Sequence, residues 1–268
     1  MSTRFRNDFL NEESFGVEIN ACTEVAATTV AMDNGFTYTQ AVAGTLQAGD
    51  TFEGMWLASH TAGALELARL SSTNEIFQFV LGQPIRFIAD ITFQLLAEEL
   101  NFFVGCCDNM IAGVTTITGG GGMKITGDHF GFYTPDSGSA VYGTPANIFC
   151  VSQESGVAMI TELTAANSID RVQHKVEIGS RHQFQADFVP TGPIGGTGGV
   201  TIFDADIEFK IDGITVAVHH HTAANALTVA ATELMNFGIH SENITDICTY
   251  EIRQLKCRQL RALSQFGG

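Results

Sequence analysis

The chain has 268 residues, 45% hydrophobic and 16% charged, with 28 glycines and 5 prolines; that is enough apolar material for one large core and excludes a disordered polypeptide. A net charge of −16 argues against unaided binding to a nucleic-acid backbone or an anionic membrane, because like charges repel. No apolar run approaches the roughly 20 residues of a membrane helix. The opening MSTRFRNDF lacks the apolar centre of a secretory peptide, so assembly in a cytoplasm is expected, with proteins or neutral ligands as partners.

In chain order, strand signals begin at Phe15 to Asn20, Val25 to Met32, Leu65 to Leu70 and Ile76 to Leu81. The clearest runs from Pro84 to Leu95, where Phe87, Ala89, Ile91, Phe93 and Leu95 alternate with Arg86, Asp90, Thr92 and Gln94. After a polar turn at Glu98-Glu99 comes the apolar run Asn101 to Cys107, read as its neighbour. His129 to Tyr133, Ile148 to Ser152, Val157 to Leu163, Gln173 to Ile178 and His182 to Phe188 follow. A second strongly alternating strand covers Val200 to Ile211, and the step Asp212-Gly213 predicts a tight primed turn with Ile214 to Val218 pairing straight back. Glu233 to Ile239 and Asp246 to Leu255 complete the series. Short strands at this spacing, with no long amphipathic helix between them, specify an all-β antiparallel sandwich of the jelly-roll type. Its expected limits are an N-terminal arm at 1–14, one sandwich domain at 15–257 and a C-terminal tail at 258–268. Thr118 to Gly127, Pro135 to Pro145 and Pro190 to Gly199 read as glycine-rich surface loops.

Candidate chemistry is sparse. The six cysteines (Cys22, Cys106, Cys107, Cys150, Cys248, Cys257) show neither a CxxC pair nor zinc spacing, and small buried thiols are expected, with Cys106 and Cys107 pointing to opposite faces. Gly195-Gly-Thr-Gly-Gly199 lacks the helix and lysine of a phosphate cradle. Asp204, Asp206 and Glu208 share one strand face, in the pattern of laminarinase-like glycoside hydrolases, but that pattern begins with Glu, and a solvated outer face is the favoured reading because a one-sided sheet alternates in this way anyway. His219 and His221 share a face, which is one ligand short of a metal site, and the triplet His219-His-His221 reads as the exit of the hairpin. Trp56, Tyr133 and Tyr142 are candidate stacking faces for a sugar. No catalytic residue, cofactor or metal is therefore assigned. Basic residues gather at the ends, Arg4 and Arg6 in the first eight residues and Arg253, Lys256, Arg258 and Arg261 near the last; these are the candidate partner-binding groups.

From Pro84 onward the strand order resembles a group of tailed-phage virion proteins built on a laminin G-like or concanavalin A-like sandwich. The matching stretches are Ile85 to Leu95 (IRFIADITFQL), Phe102 to Asp108 (FFVGCCD), Asp128 to Thr134 (DHFGFYT), Gln173 to Ile178 (QHKVEI) and Ala205 to Val218 (ADIEFKIDGITVAV). The final pair is Leu234 to Ile239 with Ile247 to Leu255. The resemblance implies a non-enzymatic capsid decoration or cement protein on the virion surface that binds the major capsid protein, with a homo-oligomer, a trimer, as the assembly. A carbohydrate-binding surface module is the alternative, and a glycoside hydrolase a more distant one.

Overall fold

The structure is a computed structural model. It describes residues 14–19, 29–31, 36–40, 45–48, 56–60, 66–72, 77, 83–95, 101–108, 128–134, 147–154, 157–195, 200–222, 227–230, 235–243 and 248–260. These hold strands β1 (Ser14–Ile19), β2 (Thr29–Ala31), β3 (Phe36–Gln40), β4 (Thr45–Ala48), β5 (Trp56–His60), β6 (Glu66–Ser72), β7 (Ile85–Leu95), β8 (Asn101–Cys107) and β9 (His129–Thr134). They continue with β10 (Phe149–Glu154), β11 (Val157–Glu162), β12 (Arg181–Gly195), β13 (Val200–Ile211), β14 (Ile214–His221), β15 (Leu227–Ala230), β16 (Asn236–Asn243) and β17 (Cys248–Leu260). Among the described residues no helix is long and apolar enough to cross a membrane.

All pairings between these strands are antiparallel, and they form two sheets. The nine-stranded sheet runs β14-β13-β12-β7-β17-β5-β4, with β1 added on β17 and β15 on β13. The eight-stranded sheet runs β11-β10-β9-β8-β16-β6-β3-β2. Period-two alternation decides which face is buried: Ile85, Phe87, Ala89, Ile91 and Phe93 of β7 enter the core while Arg86, Ile88 and Thr92 stay partly exposed. Phenylalanines join the two sheets edge to face, Phe93 with Phe102 at 5.4 Å, Phe132 with Phe209 at 5.5 Å and Phe87 with Phe237 at 6.3 Å between ring centroids. Each such ring taken from water contributes about 2–3 kcal/mol, so this seam dominates the cohesion of the sandwich.

The turn at Asp212-Gly213 is of the primed type expected, with φ of 53° and 82° and Ile211 facing Ile214. Several boundaries differ from the expectation. The stretch from Pro190 is strand as far as Gly195, because two register shifts, between Pro190 and Gly192 and between Pro193 and Gly195, let the prolines sit in β12 without ladder donors. Gln173 to Ile178 is not a strand: only Lys175 bridges, to Asn147, and turns at Arg171 (φ 63°) and Gly179 (φ 81°) fold the segment between β11 and β12. Of Ile76 to Leu81 only Phe77 is described, as a bridge to Met235. β3, β4, β5 and β15 lie where no strand was expected. Residues 258–260 belong to β17, where β1 pairs with them, so no free tail begins at Arg258. Of the arm expected at 1–14, Ser14 belongs to β1, paired with Leu260, and the rest lies outside the described residues, as do the loops at 118–127 and 135–145.

Candidate functional site

Two polar constellations and a second, smaller buried cluster stand out beside the central core. The first covers the outer face of the nine-stranded sheet. Asp187 on β12 is fully buried and gathers cations from both neighbouring strands. Arg86 on β7 donates to it twice, at 2.7 and 3.0 Å, while Gln185 donates at 2.7 Å and Lys210 of β13 at 3.1 Å. Lys210 also donates to Glu208 at 2.6 Å, and Thr215 donates to the other oxygen of Glu208 at 2.6 Å. One row below, Arg181 forks onto Asp90 at 2.8 and 2.6 Å.

This network takes in the strand suspected of hydrolytic chemistry. Burial raises the pKa of Glu208, but the hydrogen bonds from Lys210 and Thr215 and the charges of Lys210 and Arg86 outweigh it and hold the carboxyl below its ordinary range. Asp206 lies 2.8 Å from His220, whose ring is well exposed, so the face expected to be solvated is tied together around Asp187 and Glu208 and stays open to water at Asp206. Three of the basic residues assigned to a terminal segment belong to the same sheet: Arg253 sits at the bulge of β17, Lys256 lies opposite Ile88 and Arg258 opposite Arg86. All three are half-buried, and Lys256 and Arg258 run between β7 and β1. Arg4, Arg6 and Arg261 lie outside the described residues.

The second constellation lies between the sheets. The triplet forms the last three residues of β14, where the hairpin ends, still paired with β13, and alternation sends His219 and His221 inward and His220 outward. Ser152 Oγ of β10 lies 2.7 Å from His219 Nδ1 and 2.8 Å from His221 Nε2, and Thr161 Oγ1 of β11 lies 3.1 Å from His219 Nε2. Burial, then the charges of His221 and His220, lower the pKa of His219 to about 3, so it is neutral at physiological pH. Nothing in the sequence announced Ser152, which sits 67 residues from His219. Among the described residues no three His, Cys, Asp or Glu side chains gather as a metal site.

The smaller cluster lies on the outer face of the eight-stranded sheet, where Phe103, Cys107, Tyr133, Phe149 and Val151 are buried together. Tyr133 is 2% exposed and so offers no stacking face to a sugar; the side chain of Trp56 and all of Tyr142 lie outside the described residues. Beside the cluster, His240 of β16 pairs in register with Arg69 of β6, and burial together with the Arg69 charge pushes its pKa well down. Four cysteines, Cys106, Cys107, Cys150 and Cys257, are buried thiols, and burial raises Cys150 and Cys257. Cys106 and Cys107 do face opposite ways, one into each cluster.

No protein-family model and no curated protein matches the sequence. Solved structures do. Peanut lectin bound to a nine-residue peptide superposes with a TM-score of 0.52 at 10% identity, covering 92% of this chain and 97% of that one. A protein of unknown function from Shewanella oneidensis MR-1 superposes at 0.53 and 11% identity, covering 100% and 97%. The fold is a concanavalin A-like sandwich. At such identities the likeness establishes the architecture alone. An endo-1,3-beta-glucanase from Streptomyces sioyaensis aligns more loosely, with a TM-score of 0.49 at 14% identity over 93% of this chain and 98% of that one.

Proposed function

We propose that the chain is a non-enzymatic structural protein of a tailed-phage particle, decorating the capsid surface by binding the major capsid protein. The sequence resemblance along β7, β8, β9 and the β13–β14 hairpin supports the virion reading. The observation that carries the non-enzymatic part is the state of Glu208. A glycoside hydrolase of this pattern needs one carboxyl kept protonated as a general acid, with a raised pKa. Here the corresponding carboxyl is held ionised by Lys210 and Thr215. Asp187, on the same face, is spent on Arg86 and Lys210. The sheet face therefore works as a stiff, charge-matched panel suited to contact.

The reading is tested by mixing the purified chain with capsids that lack decoration and sedimenting them. Saturable co-sedimentation at a fixed ratio to the major capsid protein is expected. Absence of binding, or cleavage of a polysaccharide by the isolated chain, overturns the proposal. Specific sugar binding on a glycan array without capsid binding replaces it with the carbohydrate-binding alternative.

A further inference from the structure

Away from both polar constellations, one contact joins the two sheets through sulfur. Alternation turns Cys106 of β8 and Cys257 of β17 into the central core, and both are fully buried. In register, Cys106 lies between Phe130 of β9 and Phe237 of β16, and Cys257 between Phe87 of β7 and Val17 of β1. Elsewhere phenylalanine rings span the seam; here two short side chains meet directly, Sγ to Sγ at 3.8 Å, although they stand 151 positions apart in the chain. Both are free thiols. The sulfurs of a disulfide lie about 2.05 Å apart, so each has roughly 0.9 Å to travel, the scale of a turn of about 30° around its Cα–Cβ bond.

The neighbouring thiols are placed differently. Cys107, although adjacent in sequence, faces the smaller cluster and donates to Asp108 at 3.7 Å. Burial alone raises the pKa of Cys150, whereas Cys257 is raised by burial and then by its contact with Cys106. The thiolate is the reactive form of cysteine, so in the closed sandwich the pair is slow to react, and it reacts when an opening of the strands admits water and a small oxidant. A bond at this point fastens β8 of the eight-stranded sheet to β17 of the nine-stranded one and closes a loop that holds β9 to β16. No other pair of described cysteines could tie the two sheets in this way, because none other meets across the seam.

We infer that Cys106 and Cys257 form a redox site, which a peroxide converts into a disulfide that locks the two sheets together. One thiolate attacks a peroxide oxygen, forming the S–O bond of a sulfenic acid as the O–O bond breaks, and the departing hydroxide takes up the thiol's proton as water. The other sulfur then attacks the sulfenic sulfur, and the S–S bond forms as the S–O bond breaks and a second water leaves. Two thiols thereby give two electrons and two protons to hydrogen peroxide, and a thiol reductant reverses the bond. The site is independent of the capsid reading. In the test, the folded wild type, Cys257→Ala and Cys150→Ala are treated with hydrogen peroxide, the remaining thiols are alkylated in denaturant, and the peptides are mapped by mass spectrometry. Peptides joined through Cys106 and Cys257 are expected in the wild type and in Cys150→Ala, with Cys150 of the wild type recovered as an alkylated thiol. Oxidation should raise the melting temperature by about 5 °C or more, because the bond closes a long loop, and dithiothreitol should cancel the rise. Cys257→Ala should lose that rise. Cys106 and Cys257 recovered as alkylated thiols or as sulfinic acids, a link from either to another cysteine, an unchanged melting temperature in the linked protein, or an equal reversible rise in Cys257→Ala overturns the inference.

Discussion

Ser152 and His219 meet across the sandwich, Oγ 2.7 Å from Nδ1, and the same oxygen lies 2.8 Å from His221 Nε2. A hydroxyl has one proton, so it donates to one imidazole and accepts from the other; with Thr161 at the far side of His219 the four groups form one directed chain. Ser152→Ala leaves two buried ring nitrogens without their shared partner. The expected loss is about 1–3 kcal/mol in urea unfolding, and His219→Ala/Ser152→Ala together should lose less than the two single losses added. Additive losses would show that the chain does not act as a unit.

The same residue makes the fold acid-sensitive. His219 has its pKa lowered to about 3 from an ordinary 6.5, so the native chain takes its proton less readily than the unfolded chain. Above pH 6.5 both are neutral and stability is unaffected; as pH falls below that, the unfolded state gains the proton and stability drops by about 1.4 kcal/mol per unit until the native group also protonates. Between pH 7 and pH 5 the wild type should therefore lose about 2 kcal/mol more than His219→Gln. This window lies above the ordinary glutamate value of 4.5, which separates the effect from the carboxylates. Parallel pH curves for the two proteins would contradict it.

How much of this was legible depends on whether the two-residue beat survives. It survives in β7 and β13, and both were readable, as was the Asp212-Gly213 turn that joins β13 to β14. In β17 it breaks: a bulge between Ile252 and Gln254 inserts Arg253, and the polar Gln259 turns inward at 2% exposure to donate to Gln83 O at 3.4 Å. Charge density then imitated a free tail where a sheet strand runs. The facing of His219 and His221 followed from alternation, but their partner did not, since contacts across the sandwich join residues far apart in the chain. Asp187 shows the same limit, for its cations come from residues 101 and 23 positions away. The prolines of β12 hid strand behind the signature of a loop, and only the register shifts show how they are housed.

Asp187 is the hub of the outer network and the costliest charge to disturb. Removing it takes the fully buried carboxylate away from Arg86 and Lys210, whose side chains are only 16% and 14% exposed, while Lys210 keeps Glu208. Asp187→Ala should cost about 3–5 kcal/mol in chemical denaturation, the range for breaking a buried pair from one side. Asp187→Asn keeps the acceptor and should cost less. Asp206→Asn, whose partner His220 is well exposed, should cost under about 1 kcal/mol. Equal losses at Asp187 and Asp206 would refute the ranking.

A row of glycines fixes how closely the strands of the second sheet approach. Gly105 of β8 faces Gly131 of β9 and Gly238 of β16 in register. A Cβ on Gly105 would stand 2.3 Å from Phe130 O and 2.7 Å from Gly131 Cα, and one on Gly131 would stand 2.3 Å from Val104 O. These are backbone atoms, which cannot rotate aside, so an added methyl must spread β8 from β9. The two strands hold Phe102, Val104, Phe130 and Phe132 in the central core, and spreading them opens that core. Gly105→Ala should therefore cost on the order of 3 kcal/mol or more, far above the usual gain from replacing a glycine. Gly192→Ala on β12 is the control: nothing lies within 4 Å of its added Cβ, and it should leave the melting temperature within a degree or two, about 0.5 kcal/mol. A Gly105→Ala protein that melts with the wild type would mean that β8 and β9 do not approach as closely as this.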